Sequence, residues 1–198
     1  MIFPALLFIL ILFSLVLQDF IPIIPWAYQS TLNLVSVTFF ACAISIPFPV
    51  MLLLAFFTGF VFDAKNLNLA PDLDVVEAAN SLGIALPESG ATFGFSIFLF
   101  ALFGSLMQGI RPLFRKGRWE LPVFMCGVGT FLILLFEYLW INFRRGGFYF
   151  PMEIWNYILT TALLSTLVAP FAFFFIHKLA KLCGYHIRYE GLAYRRWS

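Results

Sequence analysis

The sequence predicts an all-α membrane protein, a six-span transmembrane helical bundle with both termini cytoplasmic. Three observations predict it. Of the 198 residues, 62% are hydrophobic and only 11% are charged, against about 45–50% and ~25% in soluble domains. A chain of this length cannot bury so much apolar surface in one aqueous core, so the surplus must face lipid. The apolar runs recur at lengths near the ~17–25 residues that cross a bilayer, and the basic residues cluster in connections two spans apart. This composition excludes a secreted disulfide scaffold, a disordered regulator and a soluble enzyme. The net charge of +2 gives no argument for nucleic acid.

The first span covers residues 2–17 and stops at Gln18-Asp19. No basic stretch precedes it and no small-residue cleavage site follows, so it reads as a retained helix and not a signal peptide. Residues 20–62 carry no charge at all, which is too long for one span and enough for two. Pro47-Phe48-Pro49 divides the run, because proline disfavours a continuing helix and restricts the residue before it. Spans two and three are therefore expected at residues 26–46 and 48–62, the latter ending on Asp63. Span four is expected at residues 91–110, span five at 121–143 with Glu137 inside it, and span six at 154–176 with Pro170 inside it. Residues 1–181 then form the transmembrane domain, and residues 182–198 a basic cytoplasmic tail. The outer loop, residues 64–90, is the one long polar stretch. Asp74 and Glu77 have capping-box spacing there, and Gly83 is placed to end a short helix.

The basic residues set the orientation. Arg111, Arg115, Lys116 and Arg118 lie between spans four and five, and Lys178, Lys181, Arg188, Arg195 and Arg196 follow span six. The two groups share a side, and the positive-inside rule makes that side the cytoplasm. Nine of the 12 Lys and Arg residues fall there, with Arg144 and Arg145 discordant on the outer side. Trp26, Tyr28, Tyr138, Trp140, Trp155 and Tyr157 fall near the outer ends of spans, where amphipathic rings favour the headgroup layer.

The chain is poor in catalytic constellations. Cys42, Cys126 and Cys183 are too few and scattered for a disulfide framework or zinc site and read as buried thiols. His177 and His186 both lie near the C-terminus, and neither a zinc-protease, a phosphate-loop nor a serine-hydrolase motif occurs. No cofactor, metal or enzymatic activity is expected. The intramembrane polar groups carry more information, since a carboxylate at a helix centre costs ~2.5–3.5 kcal/mol on insertion scales. Glu137 lies about 9 Å inside the end of span five, either facing the interior as a contact site or paired with Arg144 or Arg145. Asp63 lies at the outer boundary of span three. Gly127 and Gly129 read as helix-packing positions. Ala101, Ser105 and Gly109 form a small-residue face on span four, for packing within the bundle or against a partner helix. Asn156, Thr160, Thr161, Ser165 and Thr166 give span six groups that can bond to its neighbours, with Thr166 placed to serve the backbone near Pro170.

Three stretches then carry a resemblance. Gly59-Phe-Val-Phe-Asp63 ends span three with a glycine-x-x-x-aspartate pattern. Thr92-Phe93-Gly94-Phe95 opens span four, and Thr161-Ala-Leu-Leu runs on through Leu167-Val-Ala-Pro170 to Lys178. Together with six short spans in under 200 residues, these resemble the rod-shape-determining MreD family from span one to about Lys181. Where that family often opens span two with proline-aspartate, this chain reads Leu32-Asn33-Leu34. The resemblance implies a non-enzymatic scaffold of the cell-elongation machinery in the bacterial inner membrane. It implies binding to a single-span periplasmic scaffold of the MreC kind and, through it, to an MreB-like filament and the peptidoglycan synthases. Gly59, Asp63, Gly94 and Pro170 are the residues it singles out. A competing reading is the substrate-binding membrane subunit of an energy-coupling-factor vitamin transporter, with Glu137, Asn142, Arg144 and Arg145 lining an outward pocket. A lipid-modifying enzyme centred on Glu137 is a third.

Overall fold

The computed structural model describes residues 2–67, 94–111, 120–147 and 150–185. Most of the expected outer loop, the basic connection around Arg115, Lys116 and Arg118, the tail after Tyr185 and the side chains of Trp26 and Arg145 lie outside the described residues. Among the described residues six α-helices follow one another: α1 (Ile2–Phe20), α2 (Leu34–Ser45), α3 (Phe48–Leu67), α4 (Phe95–Ile110), α5 (Glu120–Arg145) and α6 (Met152–Leu182). Among the described residues there is no β-strand, only one isolated bridge between Ile24 and Ser30.

Four of the helices, α1, α3, α5 and α6, are long and apolar enough to cross a membrane. The outward sides of these helices carry large apolar residues, among them Phe13, Phe56, Phe124 and Leu167. Surface of that kind is unfavourable in water and suits lipid or an apolar partner.

The shortest helix is the most enclosed. α2 has 12 residues, or about 18 Å at 1.5 Å per residue, well short of the ~30 Å hydrocarbon core. Every residue from Val35 to Ile46 is buried, because α1, α3, α4, α5 and α6 all pack around it. A helix covered on every side has no polar face, as the sequence Val-Ser-Val-Thr-Phe-Phe-Ala-Cys-Ala-Ile shows. Phe39 packs edge-to-face on Phe40 and Phe100 and forms the centre of the core.

Here the structure corrects the expected second span. The helix begins at Leu34 and not at Trp26. Residues 25–27 form a single 3-10 turn, and the chain then turns through Tyr28 and Gln29, whose φ values are +54° and +57°. The absence of charge between residues 20 and 62 reports membrane depth, not helix. Pro22 and Pro25 break the helical ladder at the start of this stretch, and Asn33 starts a new one by accepting a hydrogen bond from Ser36 N–H on its side chain. Irregular backbone at this depth is tolerated only inside protein or beside a cavity, and Ala27, Ser30 and Asn33 are indeed buried.

The start of α1 and the end of α6 meet at one end of the bundle. Gly184, with φ +62°, terminates α6, and Tyr185 N–H returns to Ala180 O at 2.8 Å. That turn carries the Tyr185 ring onto Phe3 at the start of α1, with the ring centres 4.4 Å apart. Tyr138, Trp140, Phe150 and Trp155 gather near the opposite end, where Phe150 packs against both Tyr138 and Trp155.

Candidate functional site

The residues singled out on spans three and four converge on one joint. Gly59 lies on the face of α3 that meets α4. A Cβ there would lie 2.4 Å from Ile97 Cα and 2.6 Å from Ile97 N, so the two backbones approach in a way that excludes any side chain. Asp63 lies one helical turn further along the same face. Its Oδ2 accepts the Gly94 N–H at 2.7 Å, and the residue is 3% exposed. Gly94 precedes the first residue of α4 at φ +98°, a backbone conformation that side chains disfavour. The Asp63 carboxylate thus serves as a cap for α4 supplied from another helix, with its charge at the positive end of the α4 dipole.

Around this joint the side chains are arranged asymmetrically. Asp63 Oδ1 is buried without a hydrogen-bond partner among the described residues, as is the Ser96 hydroxyl. Glu137 on α5 is half-buried and within electrostatic reach of Asp63. Phe95 stacks on Trp140 at 4.6 Å, tying the start of α4 to α5. Arg144 is exposed two turns beyond Glu137, and Asn142, buried, donates to Tyr138 O in its own helix. An ion pair between Lys65 and Asp19 joins the ends of α3 and α1 at the same end of the bundle.

The other expected residues lie elsewhere. Pro170 belongs to α6, which packs chiefly on α5 and α2. The Thr166 hydroxyl donates to Ala162 O at 2.7 Å within its own helix and does not serve the backbone at Pro170. Gly127 lets α5 approach α6 so closely that a Cβ would meet the Thr166 hydroxyl. On α4 the buried face carries Ser96, Leu99, Phe100, Phe103, Gly104 and Met107. Ala101 and Ser105 are half-buried, Ala101 packing against the core, whereas Gly109 is exposed and a Cβ there would meet nothing. Cys42 and Cys126 are buried free thiols, and Cys183 is half-buried.

A second polar system had no single-sequence signature. The ends of α2 are satisfied by side chains from three other helices. At its start, Val35 N–H donates to Gln18 Oε1 at 3.1 Å and Asn33 N–H to Ser165 Oγ at 3.1 Å. At its end, the Gln108 amide donates to Ala43 O and Ile46 O, and Arg111 donates to Ile46 O at 3.1 Å. Gln18 and Gln108 stand out only as lone amides at the edges of apolar runs, and their partners lie 17 to 65 residues away.

Among the described residues no group of three or more His, Cys, Asp or Glu side chains could hold a metal ion. What the joint does chemically is hold α3 and α4 in register through one hydrogen bond to a carboxylate and one close backbone contact, with the Phe95–Trp140 stack tying α5 to them. Comparison with protein-family models, with curated proteins and with solved structures finds no match to this chain.

Proposed function

We propose that this protein is a non-enzymatic membrane scaffold of the MreD type, acting in the cell-elongation machinery of a bacterial inner membrane. The observation that carries the reading is the α3–α4 joint. The glycine-x-x-x-aspartate of α3 and the glycine that opens α4 are among the residues on which the resemblance rests, and all three lie at this joint, Gly59 against Ile97 and Asp63 on the Gly94 N–H. A scaffold needs helices fixed against one another and an outward face for a partner helix. Gly109, exposed, and Ser105, half-buried, give α4 the small residues for such a face, since small residues let a second helix come close. The partner in this reading is a single-span, MreC-like protein with a large periplasmic domain, linked to an MreB-like filament and the peptidoglycan synthases. The basic residues then put both termini in the cytoplasm.

Native mass spectrometry of the protein, gently extracted from its own membrane, tests this. A co-isolated single-span protein with a large periplasmic domain is the expected result, and it should be lost when Ser105 and Gly109 are replaced by leucine. A stoichiometric small molecule together with attached ATPase subunits would replace the scaffold by the transporter-subunit reading and make Glu137 the residue to test.

A further inference from the structure

α6 ends in a feature that neither the α3–α4 joint nor the capping of α2 uses. Leu163, Leu167, Phe171 and Phe174 follow one another at helical spacing and are 61–72% exposed, forming a single outward stripe. Lys178 and Lys181 continue that stripe, and both are exposed. The opposite side of the same helix is packed against the bundle, with Ile176 and Ala180 buried at 1% and 2% exposure. The rotation of this helix end is therefore fixed, and the lysines point the way the lipid-facing residues point. The turn at Gly184 carries Tyr185 back to the bundle, where its ring stacks on Phe3.

The length of the stripe matters. Leu167 is the midpoint of the 31-residue helix Met152–Leu182. From Leu167 to Lys178 the axis rises about 16 Å, close to half of the ~30 Å hydrocarbon core. The stripe thus covers one leaflet, and the ammonium groups stand at headgroup level. Lys178 Nζ lies 4.9 Å from the centre of the Phe174 ring, which holds the charge at the upper edge of the apolar surface. At i, i+3 spacing the two lysines are neighbours, about 5–6 Å apart at Cβ, and can share one phosphate. Among the described residues at this end of the bundle, Glu120 is the acidic group, exposed at the start of α5, and Arg111 adds a further cation on α4.

We propose that the Lys178–Lys181 end of α6 binds the phosphate headgroup of an anionic phospholipid, whose acyl chains lie along the Leu167–Phe174 stripe. The lysines also oppose the negative end of the α6 dipole, a structural role that makes no distinction among lipids. The inference stands independently of the scaffold reading.

The test is headgroup preference. The full-length protein is placed in nanodiscs of equal phosphatidylglycerol and phosphatidylcholine, and native mass spectrometry identifies the first lipid retained. The wild type should retain phosphatidylglycerol. Lys178→Gln or Lys181→Gln should lower the ratio about fivefold and the double variant about 30-fold, as expected for one juxtamembrane cation or two. A second variant, with Arg188, Arg195 and Arg196 changed to glutamine, should keep the wild-type preference. Equal retention of the two lipids by the wild type, or an unchanged preference in the folded double-lysine variant, would overturn the proposal. So would loss of the preference in the tail variant, which would assign it to the tail even if the double-lysine variant did not fold.

Discussion

Replacing Gly59 with alanine puts a methyl group 2.4 Å from Ile97 Cα and 2.9 Å from its side chain. Carbon atoms pack at about 3.5–4.0 Å, so α4 must draw back from α3 by about 1 Å or more. The Asp63–Gly94 hydrogen bond, 2.7 Å long and aligned across the same joint, would then stretch past bonding distance. Overpacking of this kind costs about 1–3 kcal/mol. Losing a hydrogen bond to a charged group costs about 1.5–3 kcal/mol. Alanine returns about 1 kcal/mol in helix propensity. The expected net loss is about 1.5–5 kcal/mol, which for a chain of this size corresponds to a fall of about 3–20 °C in Tm. Thermal unfolding of the detergent-solubilised protein, followed by tryptophan fluorescence, measures it. Gly109→Ala is the internal control, since its new methyl group meets nothing and should leave Tm unchanged or slightly raised. If Gly59→Ala melts with Gly109→Ala, the close approach of α3 and α4 does not hold the fold together, and the reasoning fails.

Other expectations follow from the same contacts. Asp63→Asn should destabilise less than Asp63→Ala in the same melting assay, because an amide oxygen can still accept from Gly94 N–H while a methyl leaves it unpaired; equal losses would remove the hydrogen bond from the account. Combining Asp63→Ala with Gly59→Ala should cost less than the two separate losses added together, since both break one bond; strict additivity would count against it. Gln108→Leu keeps the bulk of the side chain but strips both donors from the end of α2, and should cost about 2 kcal/mol with faster hydrogen exchange near Ile46, whereas unchanged exchange would show that Arg111 suffices. A cysteine at Gly147, in a background with Cys42, Cys126 and Cys183 replaced by serine, should be labelled from the opposite side of the membrane to Cys183 in a background with Cys42 and Cys126 replaced; labelling of both from one side would refute six passes.

Composition and the length of the apolar runs determined that this is a helical membrane protein, because surplus apolar surface has no other solvent and a long continuous apolar run satisfies its backbone groups at that depth by bonding within its own segment. Local chemistry set several boundaries too: Pro47 and Pro49 separate α2 from α3, and Gly94 and Gly184 mark helix ends through their backbone freedom. The start of α2 was not legible, because residues 26–33 are as free of charge as the helix that follows. What keeps them irregular is a set of partners on α1 and α6 that are distant in sequence. Helical periodicity likewise presents Gly59, Gly104 and Gly109 as equivalent small residues. Only the packed structure distinguishes them, placing Gly59 against the Ile97 backbone, Gly104 against Met51 and Phe39, and Gly109 in open space. The meeting of Asp63 with Gly94 belongs to the same class. A 3.6-residue period fixes which residues share a face, but which face meets which neighbour depends on shape and charge summed over the whole bundle, and that sum exists only in the folded chain.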